Sequence, residues 1–103
     1  MATVERSFPP DHPAARGHFP GNPVIPGAVL LAEVLRSVAA ELDADLSSCR
    51  IRHAKFLAPV RPGDRIAIEF SRTQTGGIRF AGTVGGRTVV KGEVACHILS
   101  AAT

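Results

Sequence analysis

Residues 17–38 read GHFPGNPVIPGAVLLAEVLRSV, one histidine, three prolines and three glycines ahead of an apolar run that contains one carboxylate. Proline fixes φ and has no N–H to donate, so neither helix nor strand runs through the segment 11–27 that includes this stretch. A loop of that length in a compact domain is either functional or disordered, and its apolar Phe19, Val24 and Ile25 argue for one that packs. From Gly27 to Leu42 the residues are strong helix formers, with Pro26 at the start and a DADLSS cluster at the end. A 3.6-residue period gathers Glu33, Arg36, Ser37 and Glu41 on one polar stripe. It leaves Ala28, Leu31, Ala32, Leu35, Val38, Ala39 and Leu42 elsewhere, as in a mostly buried helix with one wet edge.

Outward from the helix the period changes to two. Residues 2–8 suit a short first strand, ended by Pro9 and Pro10. Residues 49–60, 65–72, 78–84 and 87–100 read as four more strands, separated by RPGD, TGG and GG turns. In the second of these, Ile66, Ile68 and Phe70 alternate with Arg65, Ala67, Glu69 and Ser71, as in an antiparallel sheet covered on one face. The expected class is α+β: a curved antiparallel sheet wrapped around one long central helix.

At 103 residues, 45% apolar and 20% charged, the chain suits a single globular domain over 1–103. The apolar stretch from Val24 to Leu35 is broken by Pro26 and Glu33 and falls short of the roughly 20 residues of a membrane span. The N-terminal MATVERSF lacks the apolar core of a signal peptide. Cys49 and Cys96 form no CxxC pair, so neither a disulfide framework nor a zinc site is expected, and the compartment reads as reducing cytoplasm. A formal charge of +3 is mild, and no Trp or Tyr is present to stack on bases. Nucleic acid is thus disfavoured, while acidic proteins or phosphate-bearing substrates suit the charge.

GHFPGNPVIPG resembles the signature of the hotdog-fold 3-hydroxyacyl-[acyl carrier protein] dehydratases. AVLLAEVL resembles the start of that family's central helix, and AKFLAPVRPGD (Ala54 to Asp64) its following strand and turn. The likeness covers essentially the whole chain and is strongest to the compact thioester dehydratases of aryl polyene-type pathways. It implies a lyase that eliminates water from a 3-hydroxyacyl thioester of fatty acid or polyene biosynthesis. Such chemistry needs a base of near-neutral pKa for the proton alpha to the carbonyl, the role that falls to His18. The N–H of Gly27, in the first helical turn, matches the family's donor to the thioester oxygen. Phe19, Pro20, Gly21, Pro26, Ala28 and Ala32 are the implied substrate contacts, the prolines keeping the loop rigid.

The acid that protonates the departing hydroxyl is where the sequence departs from the family. The family's Glu or Asp lies fourteen residues after the histidine, which falls on Ala32. The nearby carboxylate is Glu33, a candidate catalytic acid if the helix start rotates it inward. Helix phase instead assigns it to the wet stripe with Arg36 and Ser37. Without the acid, the chain becomes either a non-catalytic thioester binder or one half of a heterodimer whose other hotdog subunit supplies the carboxylate.

His12, His53 and His97 lie at no metal-ligand spacing, and Cys96 reads as a buried apolar residue. The resemblance calls for no cofactor and no metal. It implies a carrier-protein- or CoA-linked acyl thioester and a dimer, with neither nucleic acid nor membrane. Arg16, Arg61 and Arg79 are candidates to steer an acidic carrier, although scattered basic residues are ordinarily plain solvated surface.

Overall fold

A computed structural model of the chain describes residues 2–11 and 24–98. It contains β1 (Ala2–Ser7), α1 (Gly27–Leu42), β2 (Ala44–Phe56), β3 (Arg65–Arg72), β4 (Ile78–Val84) and β5 (Arg87–Ile98). The five strands form one antiparallel sheet in the order β1-β3-β4-β5-β2. Strands 3 to 5 are a meander, and the strands flanking the helix in sequence lie at the two outer edges. Gly85 and Gly86 turn β4 into β5 with φ of 58° and 81°. Two successive positive φ values are what a tight hairpin turn requires, and glycine reaches them without steric penalty.

The two-residue period sets the core. Ile66, Ile68 and Phe70 of β3, Ile78 and Phe80 of β4, and Val90 and Val94 of β5 are all buried in one cluster. Leu30, Val34 and Val38 of α1 close that cluster from the helix side, at the i, i+4, i+8 spacing of a single helical stripe. The sheet therefore has one face under the helix and one turned away from it.

The helix bounds agree with those read from the sequence, and its N-cap is Pro26 with φ −58° and ψ 144°. At 16 residues, about four turns, it is not the long helix expected. Asp43 ends it in the left-handed region at φ 51° and donates its N–H to the Ala39 carbonyl. Ser37, expected on the wet stripe, is 1% exposed. Its hydroxyl donates to the Glu33 carbonyl at 2.8 Å, which removes the penalty of burying it.

Two further expectations are corrected. β2 begins at Ala44 instead of Cys49, because Ala44 and Asp45 pair with Ile98 and His97 beyond an irregularity that ends at Arg50. The turn-forming ADLSS residues are thus drawn into the edge strand by a distant partner. Secondly, Cys49 and Cys96 are joined by a disulfide. Register sets Arg50 opposite Ala95, which brings Cys49 opposite Cys96 with 4.1 Å between their Cα atoms. Cys96 is therefore a cross-strand bridge and not the isolated apolar residue expected. No described helix is long and apolar enough to cross a membrane.

Candidate active site

His18, Phe19, Pro20 and Gly21 lie outside the described residues. The remaining candidates all belong to the first turns of α1 or to its cap. Pro26 caps the helix without a side-chain hydrogen bond, and no acidic residue occupies the first turn. The Val29 and Leu30 N–H groups both donate back to the Pro26 carbonyl at 3.0 Å. Among the described residues no acceptor takes the N–H of Gly27. Left unpaired by the described residues, it stands at the positive end of the helix dipole, where an anion is stabilised.

Gly27 faces an apolar cavity of about 460 Å³, lined also by Val24, Ile25, Leu30, Phe56 and Leu57. The hydrogen bond from Ile25 N–H to the Val60 carbonyl, 2.7 Å, ties the segment before the helix to the chain after β2. Phe56 closes on the helix start. A Cβ on Gly27 would stand 3.2 Å from Cζ and 3.3 Å from Cε1 of that ring, so the absent side chain is what lets the aromatic edge in. Sequence reasoning missed Phe56 as a site residue. Its signal was the AKFLAPVRPGD stretch, which points to the strand but not to the partner of its aromatic ring.

A second cavity, about 450 Å³, opens on another side of the same helix. Ala28, Ala32, Glu33 and Arg36 line it together with Phe8 and Pro9. Ala32, the position of the family acid, is exposed, and Glu33 beside it is half-buried. The structure thus inverts the expected contrast: the alanine is open and the glutamate is the enclosed one. Both oxygens of Glu33 are engaged, Oε1 by Arg36 Nη1 at 3.3 Å and Oε2 by Arg6 Nε at 3.6 Å and the Ser37 hydroxyl at 3.3 Å. Arg6 comes from β1 and had no signal in the helix period. To deliver a proton, Glu33 would have to leave these partners.

Gly27 and Ala32 are separated by roughly 140° around the helix axis. Accordingly, Gly27 lines one cavity while Ala28, Ala32 and Glu33 line the other, and Pro26 lines neither. Within one chain the expected oxyanion donor and the expected acid position do not meet. Among the described residues no group of three or more His, Cys, Asp or Glu could hold a metal ion.

Comparison with known proteins places the family and the fold. The 3-hydroxyacyl-[acyl-carrier-protein] dehydratase FabZ of Caulobacter sp. (strain K31) is 31% identical over 102 residues, covering 86% of this chain. The FabZ of Thermomicrobium roseum is 41% identical over 90 residues, 79% of the chain. The chain spans 63% and 58% of the length of these two relatives. Among solved structures, a protein of the dehydratase heterocomplex ApeI:P from Xenorhabdus doucetiae superposes with a TM-score of 0.73 at 20% identity, covering 92% of this chain and 85% of the other. An (R)-hydratase from A. caviae involved in PHA biosynthesis superposes with a TM-score of 0.66 at 17% identity, covering 91% and 92%. These two likenesses are of fold: a hotdog sheet with its helix. The family described as ApeI-like, ApeI dehydratase, matches residues 1–93, and the chain belongs to that family.

Proposed function

We propose that the chain, as a single hotdog domain over 1–103, works in a 3-hydroxyacyl thioester dehydratase. His18 removes the proton alpha to the thioester carbonyl. The Gly27 N–H stabilises the negative charge that develops on the carbonyl oxygen. The hydroxyl leaves from the beta carbon as water once an acid protonates it, and the electrons of the broken C–H bond become the new double bond. The observation that carries this reading is the Gly27 N–H without an acceptor among the described residues, at the mouth of an apolar cavity of about 460 Å³ that would take the acyl chain. Phe19, Pro20 and Gly21, with Pro26, would contact the thioester, while Ala28 and Ala32, which line the other cavity, would meet substrate only in an assembled site.

The second reading concerns the acid. Because Gly27 and Ala32 open on different cavities, and Glu33 is held by Arg6 and Arg36, we infer that the acid reaches His18 from another chain. The edge strand supports such an assembly. Its partner side is unpaired at the sheet margin, and the exposed large apolar residues Leu46, Ile51, Phe56 and Leu57 all lie on or next to β2. An edge of that kind is stable when another chain covers it. In a homodimer the helix of the second copy would offer Ala32 beside a Glu33 held by Arg6 and Arg36, whereas a different hotdog subunit can bring an unengaged carboxylate. The Xenorhabdus doucetiae neighbour is likewise described as belonging to a dehydratase heterocomplex, ApeI:P.

We further propose that the substrate is carried on an acyl carrier protein, as in the names of the FabZ relatives, and that the reaction takes place in the cytoplasm. Alkylating free thiols at the moment of lysis reports whether Cys49 and Cys96 are bridged in that compartment.

The deciding experiment is a dehydration assay on a 3-hydroxyacyl carrier-protein substrate, run on the chain alone and with a co-encoded hotdog partner. His18→Ala is expected to abolish enoyl product in whichever setting the wild type makes it. Full activity of His18→Ala would overturn the assignment. Product from the chain alone at the rate seen with the partner would remove the heterodimer reading, and carrier binding without turnover in either setting would leave a thioester-binding protein.

A further inference from the structure

The sheet face turned away from the helix carries more cations than anions, Lys55, Lys91 and Arg79 against Glu69 and Glu93. Strand register sets Lys55 of β2 directly opposite Lys91 of β5, Lys91 opposite Ala81 of β4, and Ala81 opposite Glu69 of β3. In the adjoining row Arg79 and His53 flank Glu93. Residues of the other parity, such as Phe80 and Val94, are buried under the helix, so these two rows point outward. Glu93 is taken by Arg52. Among the described residues Lys55, Lys91 and Arg79 make no ion pair.

Like charges directly opposite each other on neighbouring strands are destabilising, and here neither lysine is compensated. The three cations, with His53, Glu69 and Ala81, line a cavity of about 510 Å³. A surface that keeps such repulsion is suited to a ligand of opposite sign.

We propose that this outer face is the docking surface for an acidic protein, the carrier that delivers the thioester. The inference rests on the carrier-linked reading given above and adds to it the place where the carrier sits. Charge selects the occupant: a second copy packed on the same face would set Lys55, Lys91 and Arg79 against their own counterparts. The exposed large apolar residues gather at β2 and Leu57, Ile51 pairs with the buried Val94, and Phe70 and Phe80, which also line the cavity, are buried. Charge-dominated docking gives fast arrival and easy release, as a carrier that turns over requires. The patch backs onto the site across the sheet: Lys55 directly precedes Phe56, whose ring rests against Gly27, so the two side chains leave β2 on opposite faces.

The test measures the affinity of a fluorescently labelled acidic carrier protein for the full chain, in the assembly that turns over. Kinetics on one 3-hydroxyacyl group, presented on the carrier and on N-acetylcysteamine, run alongside. Lys55→Glu/Lys91→Glu is expected to weaken carrier binding by about tenfold or more and to raise KM for the carrier-linked substrate, with kcat unchanged. Kinetics on the N-acetylcysteamine thioester stay as in the wild type, which shows that the site is intact. Lys55→Gln/Lys91→Gln gives a smaller loss, and Arg87→Glu, in the β4–β5 hairpin, gives none. Carrier binding that survives Lys55→Glu/Lys91→Glu unchanged overturns the docking surface and leaves the carrier reading standing. A wild type that neither binds the carrier nor prefers the carrier-linked substrate overturns the carrier reading itself. Binding to anionic lipid vesicles in place of the carrier would equally overturn the proposal.

Discussion

Arg6 reaches from β1 to Glu33 on α1, with 3.6 Å between Nε and Oε2, and so ties the first strand to the helix through the carboxylate nearest the expected acid position. With Arg36 on the other oxygen, Glu33 serves as a structural clasp. Glu33→Gln is therefore expected to leave dehydration within about tenfold of wild type and to lower stability by about 1 kcal/mol or less, as for partly exposed pairs. Steady-state rates and thermal melts check both. A loss as complete as that of His18→Ala would make Glu33 the acid after all.

Ala32→Glu places a carboxylate where the family carries one. The position is exposed, so the longer side chain enters open space and not the core. The variant assayed without a partner is expected to gain about 10²- to 10⁴-fold in turnover, the usual contribution of one general acid. An unchanged rate in a folded protein would mean that something other than a proton donor is missing.

The helix start permits the Gly27 N–H to be removed without disturbing the backbone. Pro26 already has ψ 144°, the extended value that a residue before proline adopts, and proline is favoured at the first helical position. Gly27→Pro should therefore fold while losing the donor, at a loss of about 10²- to 10³-fold in kcat. Gly27→Ala keeps the N–H and puts a similar carbon against Phe56, so the difference between the two variants isolates the hydrogen bond. Equal rates for the two would exclude Gly27 as oxyanion donor.

The disulfide spans 47 residues of sequence. Opening it with a thiol reductant, or by Cys96→Ser, frees the unfolded chain and is expected to lower stability by about 2–4 kcal/mol. Melting curves with and without reductant measure the drop. Identical curves would show that the bridge does not constrain the chain in solution.

On the edge strand, Ile51→Lys is expected to shift the protein toward monomer in light scattering, because it puts a charge into the apolar stripe of β2. An assembly unchanged in size would place the interface elsewhere.

The helix bounds and the spans of β3 and β4 were legible because each rests on local information: a proline cap, a change of period, a glycine turn. What escaped reading depends on partners far away in sequence. The first residues of β2 look like a turn and become strand only opposite Ile98 and His97. The Cys49–Cys96 bridge follows from the same register, which neither cysteine's neighbours encode. Ser37 looked solvated because a serine at helical spacing from Glu33 and Arg36 belongs to a polar stripe, yet its bond to the Glu33 carbonyl lets it sink. Helix phase put Glu33 on the polar stripe with Arg36 and Ser37, but its tie to Arg6 needed the docking of β1 alongside β3.

The strand order also divides the molecule by ease of opening. The β3–β4–β5 meander is built from neighbours in sequence and holds the most deeply buried residues, whereas β2 is exposed along most of its length and lies at the margin. Segments with few buried contacts open locally at a fraction of the global free energy. Amide hydrogen exchange should accordingly be fast through β2 and slow at Ile68, Phe80 and Val90, with the gap widening once the bridge to β5 is reduced. The half of the site made by Phe56 thus sits on an exposed edge strand, held to β5 by its hydrogen-bonded ladder and one covalent stitch.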